Sequence, residues 1–599
     1  AAQDIPVETQ YLLCSLVDGR YALVLPMLDG SFRSTLQGTA EGDLHLIVES
    51  GDPAVTTNEA VAVFLAIGDN PYALMEAGAK SVMARMKTGH LRSEKPLPPF
   101  VDYFGWCTWD AFYQEVSHEK VRQGLESFVE GGVQPRFLIL DDGWQSEQAT
   151  ATEERRLVSF APNAKFSGDL TPTVQMAKNE FTIEHFFVWH AFQGYWAGVN
   201  KANFPQYHIV DKSRRFSPGM QHYHADIDNW FGNLMGVVAP DSIHRFYNDY
   251  HRSLALQGVD GVKVDSQAAI ESVGQGFGGR VAMMKAYHEA LEGSVQTHFF
   301  GQIINCMSCV NEMIYSALNS NLTRSSTDFW PNRPASHGLH IYTNAQSSMW
   351  LGEFVHPDWD MFQSGHEMGP FHAAARAISG SPVYVSDKPD GHNFDVLRKL
   401  VLSDGTVLRP DGIARPTLDC LFHDATKEDV LLKIFNMNGD AGVIGVFNCR
   451  YHAEEDERVA LEGTVCPQDV DGIAGETFVI YAHTTGALTQ CSSTETVAVT
   501  LPELAYEIVT IVPIAEGIAP IGLADKFNSA GAIIDKGIDA AGNYAVMLRD
   551  GGHFVAWCDA APIGIVIDGC SVPFTYDAAT NMLSVTIEHA GLCTMTIVR

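Results

Sequence analysis

Gly261-Val-Lys-Val-Asp265 is the stretch of this 599-residue sequence from which the fold can be predicted. Because side chains alternate across a β-strand, Val262 and Val264 face one side of a short strand, and Lys263 and Asp265 face the other. Two charged groups on one face of a buried strand are costly unless they pair with each other or with a ligand. The stretch therefore predicts a buried strand that ends at a functional or an ion-paired carboxylate.

A second segment, Arg324-Ser-Ser-Thr-Asp-Phe-Trp330, again places a carboxylate after a cation and follows it with aromatic side chains. Carboxylates at the ends of two strands are what cleavage of a glycosidic bond requires, one as nucleophile or base and one as proton donor. Lys263 is expected to favour the ionised form of Asp265, and the apolar residues after Asp328 are expected to favour its protonated form. The alternative is that each carboxylate belongs to a structural ion pair.

Composition narrows the class of protein. The formal net charge of −33 argues against nucleic acid or an anionic membrane as partner and fits a neutral sugar, although solubility alone would explain it. The 11 cysteines are scattered, which predicts free buried thiols in a reducing compartment. Cys306 and Cys309 have CxxC spacing, but no second pair completes a zinc site, so we expect no metal and no cofactor. We expect a soluble protein, cytoplasmic rather than secreted.

The pattern of apolar residues divides the chain into three regions, as its length favours. Residues 1–97 read as an N-terminal β-domain of short strands separated by turns. Residues 98–410 alternate apolar strands with amphipathic helices, and residues 411–599 return to strands and turns. The last region is expected to form an antiparallel β-sandwich.

The alternating region predicts a (β/α)8 TIM barrel, an α/β fold. Its expected strands are 103–109, 136–140, 185–190, 261–265, 302–306, 321–325, 347–351 and 382–385. Their near-continuous apolar runs suit strands that helices cover on both faces. A doubly wound open sheet is the competing architecture, but no glycine-rich phosphate loop follows the first strand.

Polar and aromatic side chains lie at the C-terminal ends of these strands or directly after them, where such barrels build active sites. They are Trp109, Asp141, Asp142, Trp189, His190, Lys263, Asp265, Cys306, Arg324, Asp328, Asp358, Asp360 and Asp387. Tryptophans here, with Trp330, would cover the apolar face of a sugar, and core packing is the alternative for each. The adjacent Asp141 and Asp142 would bind hydroxyls, since magnesium needs more oxygen ligands than this pair supplies. His190 is expected to be structural.

Longer motifs around these residues resemble glycoside hydrolase family 36, in its branch of raffinose synthases, alkaline α-galactosidases and seed imbibition proteins. The resemblance covers nearly the whole chain. It is carried by Phe104-Gly-Trp-Cys-Thr-Trp-Asp-Ala-Phe112, Phe137-Leu-Ile-Leu-Asp-Asp-Gly-Trp-Gln145, Val188-Trp-His-Ala191, Gly258-Val-Asp-Gly-Val-Lys-Val-Asp265, Pro357-Asp-Trp-Asp-Met-Phe-Gln363, Ala374-Ala-Arg-Ala-Ile-Ser-Gly380 and Pro382-Val-Tyr-Val-Ser-Asp387.

The resemblance implies a retaining mechanism on α-galactosides, with Asp265 as nucleophile and Asp328 as acid/base. By the same matching, Asp141 and Asp142 would bind the galactose hydroxyls O4 and O6, and Lys263 the O3/O4 side. Trp109 would line the galactose pocket, and Arg324 and Cys306 would lie near O2.

One departure concerns Thr327, where members of the family commonly carry an aspartate. The loop after Trp144 is also short compared with the raffinose and stachyose synthases, which favours hydrolysis. We therefore expect a retaining exo-α-galactosidase that releases terminal galactose from raffinose-type oligosaccharides or other α-galactosides. The alternatives are a galactosyltransferase of raffinose-synthase type using the same double displacement, and a non-catalytic sugar-binding protein. The sequence is silent on oligomeric state.

Overall fold

The computed structural model describes residues 2–56, 59–151, 154–217, 220, 231–232 and 234–599. At its centre is an eight-stranded parallel sheet, whose strands we number β1 to β8 in chain order. They are Phe104–Cys107, Phe137–Leu140, His185–Ala191, Gly261–Asp265, Ile303–Asn305, Leu322–Arg324, His356–Asp358 and Val383–Val385. Consecutive strands are neighbours, and β8 lies beside β1. The sheet curls, and a single parallel bridge from Phe362 to Val385 links the segment after β7 to β8.

The expected seventh strand is wrong, whereas the other seven are confirmed at their predicted positions, with β3 one residue longer than expected. Residues 347–351 lie inside the helix Pro334–Phe354, and β7 is the three-residue strand that follows it. The last turns of that helix, from Ser348 to Phe354, are buried on all sides. A helix segment that is buried all round has no amphipathic period, so an apolar run there cannot be told from a buried strand.

Apolar side chains fill both faces of the curled sheet. Inside the curl, Phe137, Phe187, Leu322 and Tyr384 belong to one buried cluster, while alternate residues of the strands face the helices. Gly261 allows this packing, because a Cβ added there would lie 2.4 Å from the ring of Phe187. The strands are therefore buried on both sides, as their continuous apolar runs predict.

Helices connect the strands and cover the outside of the sheet. The helix His118–Glu130 is typical: the Ser117 hydroxyl accepts a hydrogen bond from the Lys120 amide at its first turn, and Val121 and Leu125 are buried toward the sheet. The α-helices of the described residues are Pro71–Met86, Trp109–Phe112, His118–Glu130, Thr171–Asn179, Ile243–Leu256, Arg280–Phe299, Asn311–Ile314, Pro334–Phe354, Gly369–Ser379 and Phe394–Arg398.

Antiparallel strands precede, interrupt and follow the curled sheet. The N-terminal strands are Leu12–Ser15, Tyr21–Pro26, Leu28–Asp29, Phe32–Gly38, Leu44–Glu49 and Val63–Gly68. Two-stranded ribbons follow β2 and β3, and they are Gln145–Ala149 with Arg155–Pro162 and Ile209–Ser213 with Leu234–Val238. The C-terminal strands are Arg415–Pro416, Leu432–Asn438, Ala441–Phe447, Leu461–Val465, Thr477–Ala482, Ala487–Ser492, Val497–Leu501, Tyr506–Pro513, Ile518–Leu523, Ile533–Ile538, Tyr544–Leu548, Gly552–Cys558, Gly564–Ile567, Cys570–Val572, Thr575–Asp577, Met582–Ile587 and Cys593–Val598.

The C-terminal region contains more layers than the single sandwich that the sequence predicts. A six-stranded sheet shares one apolar cluster with the helices of the curled sheet, through residues such as Ile434 and Ile378. A four-stranded and a five-stranded sheet pack together around residues such as Phe554 and Met595. The domain boundaries at residues 97 and 410 stay a prediction.

The N-terminal strands are tied to the segment after β4 by buried charges. Arg33 lies 2.7 Å from Glu8, 2.9 Å from Glu49 and 3.0 Å from Glu271, which belongs to the 3-10 helix Gln267–Val273 after β4. The N-terminal region thus supports the segment that follows Asp265.

All 11 cysteines are free thiols, and seven of them are buried as the sequence predicts, whereas Cys14, Cys309 and Cys466 are half-buried and Cys570 is exposed. Among the residues that the structure describes, none of the helices combines the length and the apolar composition needed to cross a bilayer.

A buried carboxylate fixes the chain as it enters β6. Glu292 accepts hydrogen bonds from the backbone amides of Leu318 at 3.0 Å, Asn319 at 3.2 Å and Ser320 at 2.9 Å. Its carboxylate also lies 3.2 Å from His288. Burial alone would raise the pKa of Glu292, but His288 and the donors of Ser320 lower it to about 2. The ionised form therefore holds this segment in place.

We expect Glu292→Gln to lower stability at pH 7 by about 3 kcal/mol, because a pKa unit corresponds to about 1.4 kcal/mol. The folded-state pKa lies below the ordinary value of 4.5, so this stabilisation is complete above pH 4.5 and is lost as pH falls toward 2. Melting temperatures of both proteins between pH 7 and pH 3 should converge below pH 4.5. Glu289→Gln, at a half-exposed position of the same helix, is the control and should follow the wild type. A gap that stays constant with pH would contradict this account.

Candidate active site

The predicted site residues come from six neighbouring strands, β1 to β6, and the loops that directly follow them. Trp109 follows β1, Asp141 and Asp142 follow β2, and Trp189 lies in β3. Lys263 and Asp265 lie in β4, Cys306 follows β5, Arg324 ends β6 and Asp328 lies in the loop after it. Parallel strands present their C-terminal ends at one edge, so these side chains share that edge.

Asp265 ends β4 and is held by two donors. The Trp189 indole N–H donates to Oδ2 at 3.1 Å, and the Ser266 backbone amide donates to Oδ1 at 2.6 Å. Ser266 has a φ of 57°, a left-handed conformation that turns the chain sharply at this point. Burial raises the pKa of Asp265, as does the nearby negative charge of Asp328, while Lys263 and the two donors lower it.

Lys263 lowers the pKa of Asp265, as the sequence predicts, but its direct ion-pair partner is a different carboxylate. Its Nζ atom pairs with Asp141 Oδ2 at 2.7 Å, and both side chains are almost completely buried. Burial would lower the pKa of Lys263, but Asp141 and the thiols of Cys107 and Cys306 raise it well above its ordinary value. Lys263 therefore links β4 to the end of β2 as a permanent cation.

Asp142 is held by residues that were absent from the predicted site. Gln114 donates to its carboxylate at 2.9 Å, the Tyr195 hydroxyl at 3.0 Å and the Trp196 indole at 3.1 Å. Burial raises the pKa of Asp142, and these three donors counteract that rise. Tyr195 and Trp196 lie in the loop that follows β3. Aromatic residues with a hydrogen-bond donor directly after a strand end are a sequence signal from which both could have been predicted.

Arg324 connects three groups on the opposite side of the site. Its Nη2 atom lies 3.0 Å from Asp328, and its Nη1 atom lies 2.9 Å from Asp360 and 3.6 Å from the Cys306 sulfur. Asp360 has a φ of 68° and accepts the Phe329 backbone amide at 2.7 Å. Asp360 therefore orients both the cation and the segment that carries Asp328, although the sequence reasoning placed it only in the ring of polar residues.

Asp328 does not lie in the apolar surroundings that its neighbours in sequence predict. Its side chain is 56% exposed, and Phe329 rather than Asp328 is inserted into the core. Thr327 is also exposed, so the residue that departs from the family pattern lies beside Asp328 in solvent. The exposed position therefore gives Asp328 access to a ligand, and the prediction that apolar residues surround this side chain is wrong.

The structure agrees with the prediction made for His190 and leaves the one made for Trp109 open. Trp109 is half-buried and contacts Tyr113 edge-on with ring centres 5.2 Å apart, so its place in a sugar pocket stays a prediction. His190 is buried and bonds the Ala191 carbonyl at 2.9 Å and His251 at 3.1 Å. Burial lowers the pKa of His190 to about 4, which agrees with a structural role.

Comparison with known proteins gives the class to which this fold and this site belong. Residues 1–587 match the family described as "Raffinose synthase or seed imbibition protein Sip1". The chain is 38% identical to "Probable galactinol--sucrose galactosyltransferase 1" of Arabidopsis thaliana, over 98% of this chain and 86% of that protein. It is 37% identical to "Galactinol--sucrose galactosyltransferase" of Oryza sativa subsp. japonica, over 93% and 79%.

The chain therefore belongs to the raffinose synthase and seed imbibition protein family, and the resemblance seen in its sequence is confirmed. Among solved structures it is similar to a "GH27-b-L-arabinopyranosidase from Geobacillus stearothermophilus", at 13% identity and a TM-score of 0.49, covering 69% of this chain and 98% of that one. A likeness at this level adds no argument, and the fold rests on the strands described above.

The Lys263–Asp141 pair gives a stability test of the site. We expect Lys263→Met to lower stability by about 3–5 kcal/mol, because it leaves a buried carboxylate without its cation. Adding Asp141→Asn to Lys263→Met should recover part of this loss, as melting temperatures and urea midpoints would show. Lys201→Met, which removes an exposed pair with Asp211, is the control and should cost about 0–1 kcal/mol. Equal losses in the single and double variants would contradict the pairing.

Proposed function

We propose that the protein transfers an α-galactosyl group from an α-galactoside donor to a sugar hydroxyl by a double displacement. The observation that carries this proposal is the match along nearly the whole chain to proteins named galactinol–sucrose galactosyltransferases. These names favour galactinol as donor and sucrose as acceptor. They also favour transfer over the hydrolysis that the sequence reasoning preferred.

The site residues have chemistry that suits each step. The Asp265 carboxylate attacks the anomeric carbon of galactose, the bond to the leaving oxygen breaks, and Asp328 gives its proton to that oxygen. Asp328 then takes the proton of the acceptor hydroxyl, whose oxygen attacks the same carbon and releases Asp265. Two displacements at one carbon retain the α configuration.

The remaining predicted residues would bind the galactosyl group. Asp141 and Asp142 would accept hydrogen bonds from the O4 and O6 hydroxyls, and Lys263 would donate on the O3/O4 side. Arg324 and Cys306 would lie near O2, and Trp109 and Trp189 would line the pocket. Because Lys263 and Asp141 already bond each other at 2.7 Å, this part of the pocket is formed before the sugar arrives.

Hydrolysis is the second candidate, with water in place of the acceptor hydroxyl. The exposure of Asp328 favours it, since water reaches the base directly. Incubation with galactinol and sucrose, followed by product analysis, would separate the two. A trisaccharide as the main product supports transfer, and free galactose alone at saturating sucrose would overturn it.

Azide rescue tests the roles of the two carboxylates, with α-galactosyl fluoride as donor because fluoride leaves without protonation. Asp265→Ala should be inactive until azide is added, and it should then give the inverted β-galactosyl azide. Asp328→Ala should still form the galactosyl ester and, with azide, should give the retained α-azide. NMR of the products distinguishes the anomers. The same anomer from both variants would show that the roles are wrongly assigned.

The pH profile gives an independent check of Asp265. Because its pKa is raised, the acid limb of kcat/KM should lie above the ordinary aspartate pKa of about 3.9. Trp189→Phe removes a donor that lowers this pKa, so the limb should move to higher pH. Trp196→Phe removes the similar bond to Asp142, and it should weaken binding without moving the limb. An unchanged limb in Trp189→Phe would contradict Asp265 as the titrating group.

A further inference from the structure

Trp330 is a large aromatic side chain that the fold leaves open to solvent beside the proposed acid/base residue. Its side chain is 38% exposed, and it follows Asp328 by two residues. Phe329, between them, is buried against His372, with ring centres 4.9 Å apart and the rings nearly perpendicular. The segment is therefore anchored through Phe329, and both neighbouring side chains emerge from the buried core.

Local contacts fix Trp330 although it is not buried. Its carbonyl accepts hydrogen bonds from the Arg333 amide at 3.2 Å and from the Ser336 hydroxyl at 3.3 Å. The Arg333 guanidinium lies 3.6 Å from the centre of the indole ring. A cation over one face holds the ring in place and leaves the rest of its surface accessible. Exposed indoles that are held in this way are suited to ligand contact.

The proposed chemistry determines which part of the substrate would meet this ring. Asp328 must reach the oxygen that joins galactose to the second sugar, because it protonates that oxygen and later deprotonates the acceptor hydroxyl. The sugar beyond the bond therefore lies next to Asp328 and not in the galactose pocket. Trp330 follows Asp328 by two residues, whereas the side-chain and backbone donors to Asp141, Asp142 and Asp265 come from β1, β3, β4 and the loops after β1, β2, β3 and β4.

We propose that Trp330, with Arg333 behind it, is the platform on which the non-galactosyl sugar stacks. That sugar is the acceptor in transfer and the leaving sugar in cleavage, and the indole covers its apolar C–H face. The inference rests on the proposed function, because it assigns Asp328 as the acid/base. It makes Trp330 a specificity-determining residue, since the platform would hold a sugar hydroxyl in place of water.

The test again uses α-galactosyl fluoride, so that formation of the galactosyl ester requires no second sugar. Wild type, Trp330→Ala and Trp330→Phe are compared for the ratio of transfer to hydrolysis as sucrose is increased. We expect Trp330→Ala to lower this ratio by about three- to tenfold at subsaturating sucrose, without changing fluoride release in the absence of sucrose. Trp330→Phe should recover most of the ratio because it keeps a flat aromatic face.

Phe422→Ala is the matched control, because Phe422 is 40% exposed and stacks on Tyr21 away from the strand ends. It should leave the ratio unchanged. An unchanged ratio in Trp330→Ala would overturn the proposal, and so would an equal loss of fluoride release, since the residue would then act on the galactose step.

Failure of the proposed transfer is recognised separately. If the wild type hydrolyses α-galactosides but transfers to no sugar, kcat/KM values for raffinose and for α-galactosyl fluoride decide the role of Trp330. A loss in Trp330→Ala that is confined to raffinose supports the platform for a leaving sugar. An equal change for both substrates would overturn it.

Discussion

The structure depends on how carboxylates are held at the C-terminal ends of the parallel strands. The buried ones are Asp110, Asp141, Asp142, Asp358, Asp360 and Asp387. Lys263 and Arg324 each contact one of them directly, Asp141 and Asp360. Removing charged groups from water is costly, so the other carboxylates depend on neutral donors or on partial protonation.

The structure shows neutral hydrogen-bond donors and raised pKa values at two of these carboxyl groups, Asp110 and Asp358. Burial raises the pKa of Asp110 to about 7, although the Ser386 hydroxyl donates to it at 2.6 Å. Tyr384 donates to Asp358 at 2.8 Å, and burial still raises the pKa of that carboxyl. A ligand rich in neutral hydroxyls adds donors here without adding charge, whereas an anion would meet repulsion. The electrostatics of the strand ends thus agree with a sugar as substrate.

The sequence predicted most strands of the sheet because each is a short, largely apolar run whose polar side chains follow the alternation of a strand. Gly261 to Asp265 is an example, since Lys263 and Asp265 share a face, as alternation requires. The seventh strand was missed because its residues, His356 to Asp358, do not form an apolar run, whereas the last turns of the helix before them are buried on all sides and contain one.

The site was less predictable than the fold, because the hydrogen-bond and ion-pair partners of its residues come from different strands, and sequence spacing does not give the distances between strands. Spacing along β4 places Lys263 near Asp265, but the closest carboxylate oxygen comes from Asp141 on another part of the chain. In the same way, the apolar residues after Asp328 do not predict how exposed its side chain is, because Phe329 is inserted into the core and Asp328 is not. Local sequence determines which groups share an edge, and tertiary packing determines which of them bond.

In the proposed mechanism, the choice between water and a sugar as acceptor depends on how the segment around Phe329 exposes Asp328. An exposed base accepts a proton from whichever hydroxyl is nearest, so exposure by itself favours water. A sugar hydroxyl competes only if binding holds it at the base, because an oriented hydroxyl reacts as though it were present at very high concentration. The segment that exposes Asp328 also exposes an immobilised indole, and the same anchor, Phe329, sets both positions. If the proposed roles hold, acid/base access and acceptor binding would both be properties of one short segment, which could change toward transfer or hydrolysis without changes to the proposed pocket for galactose.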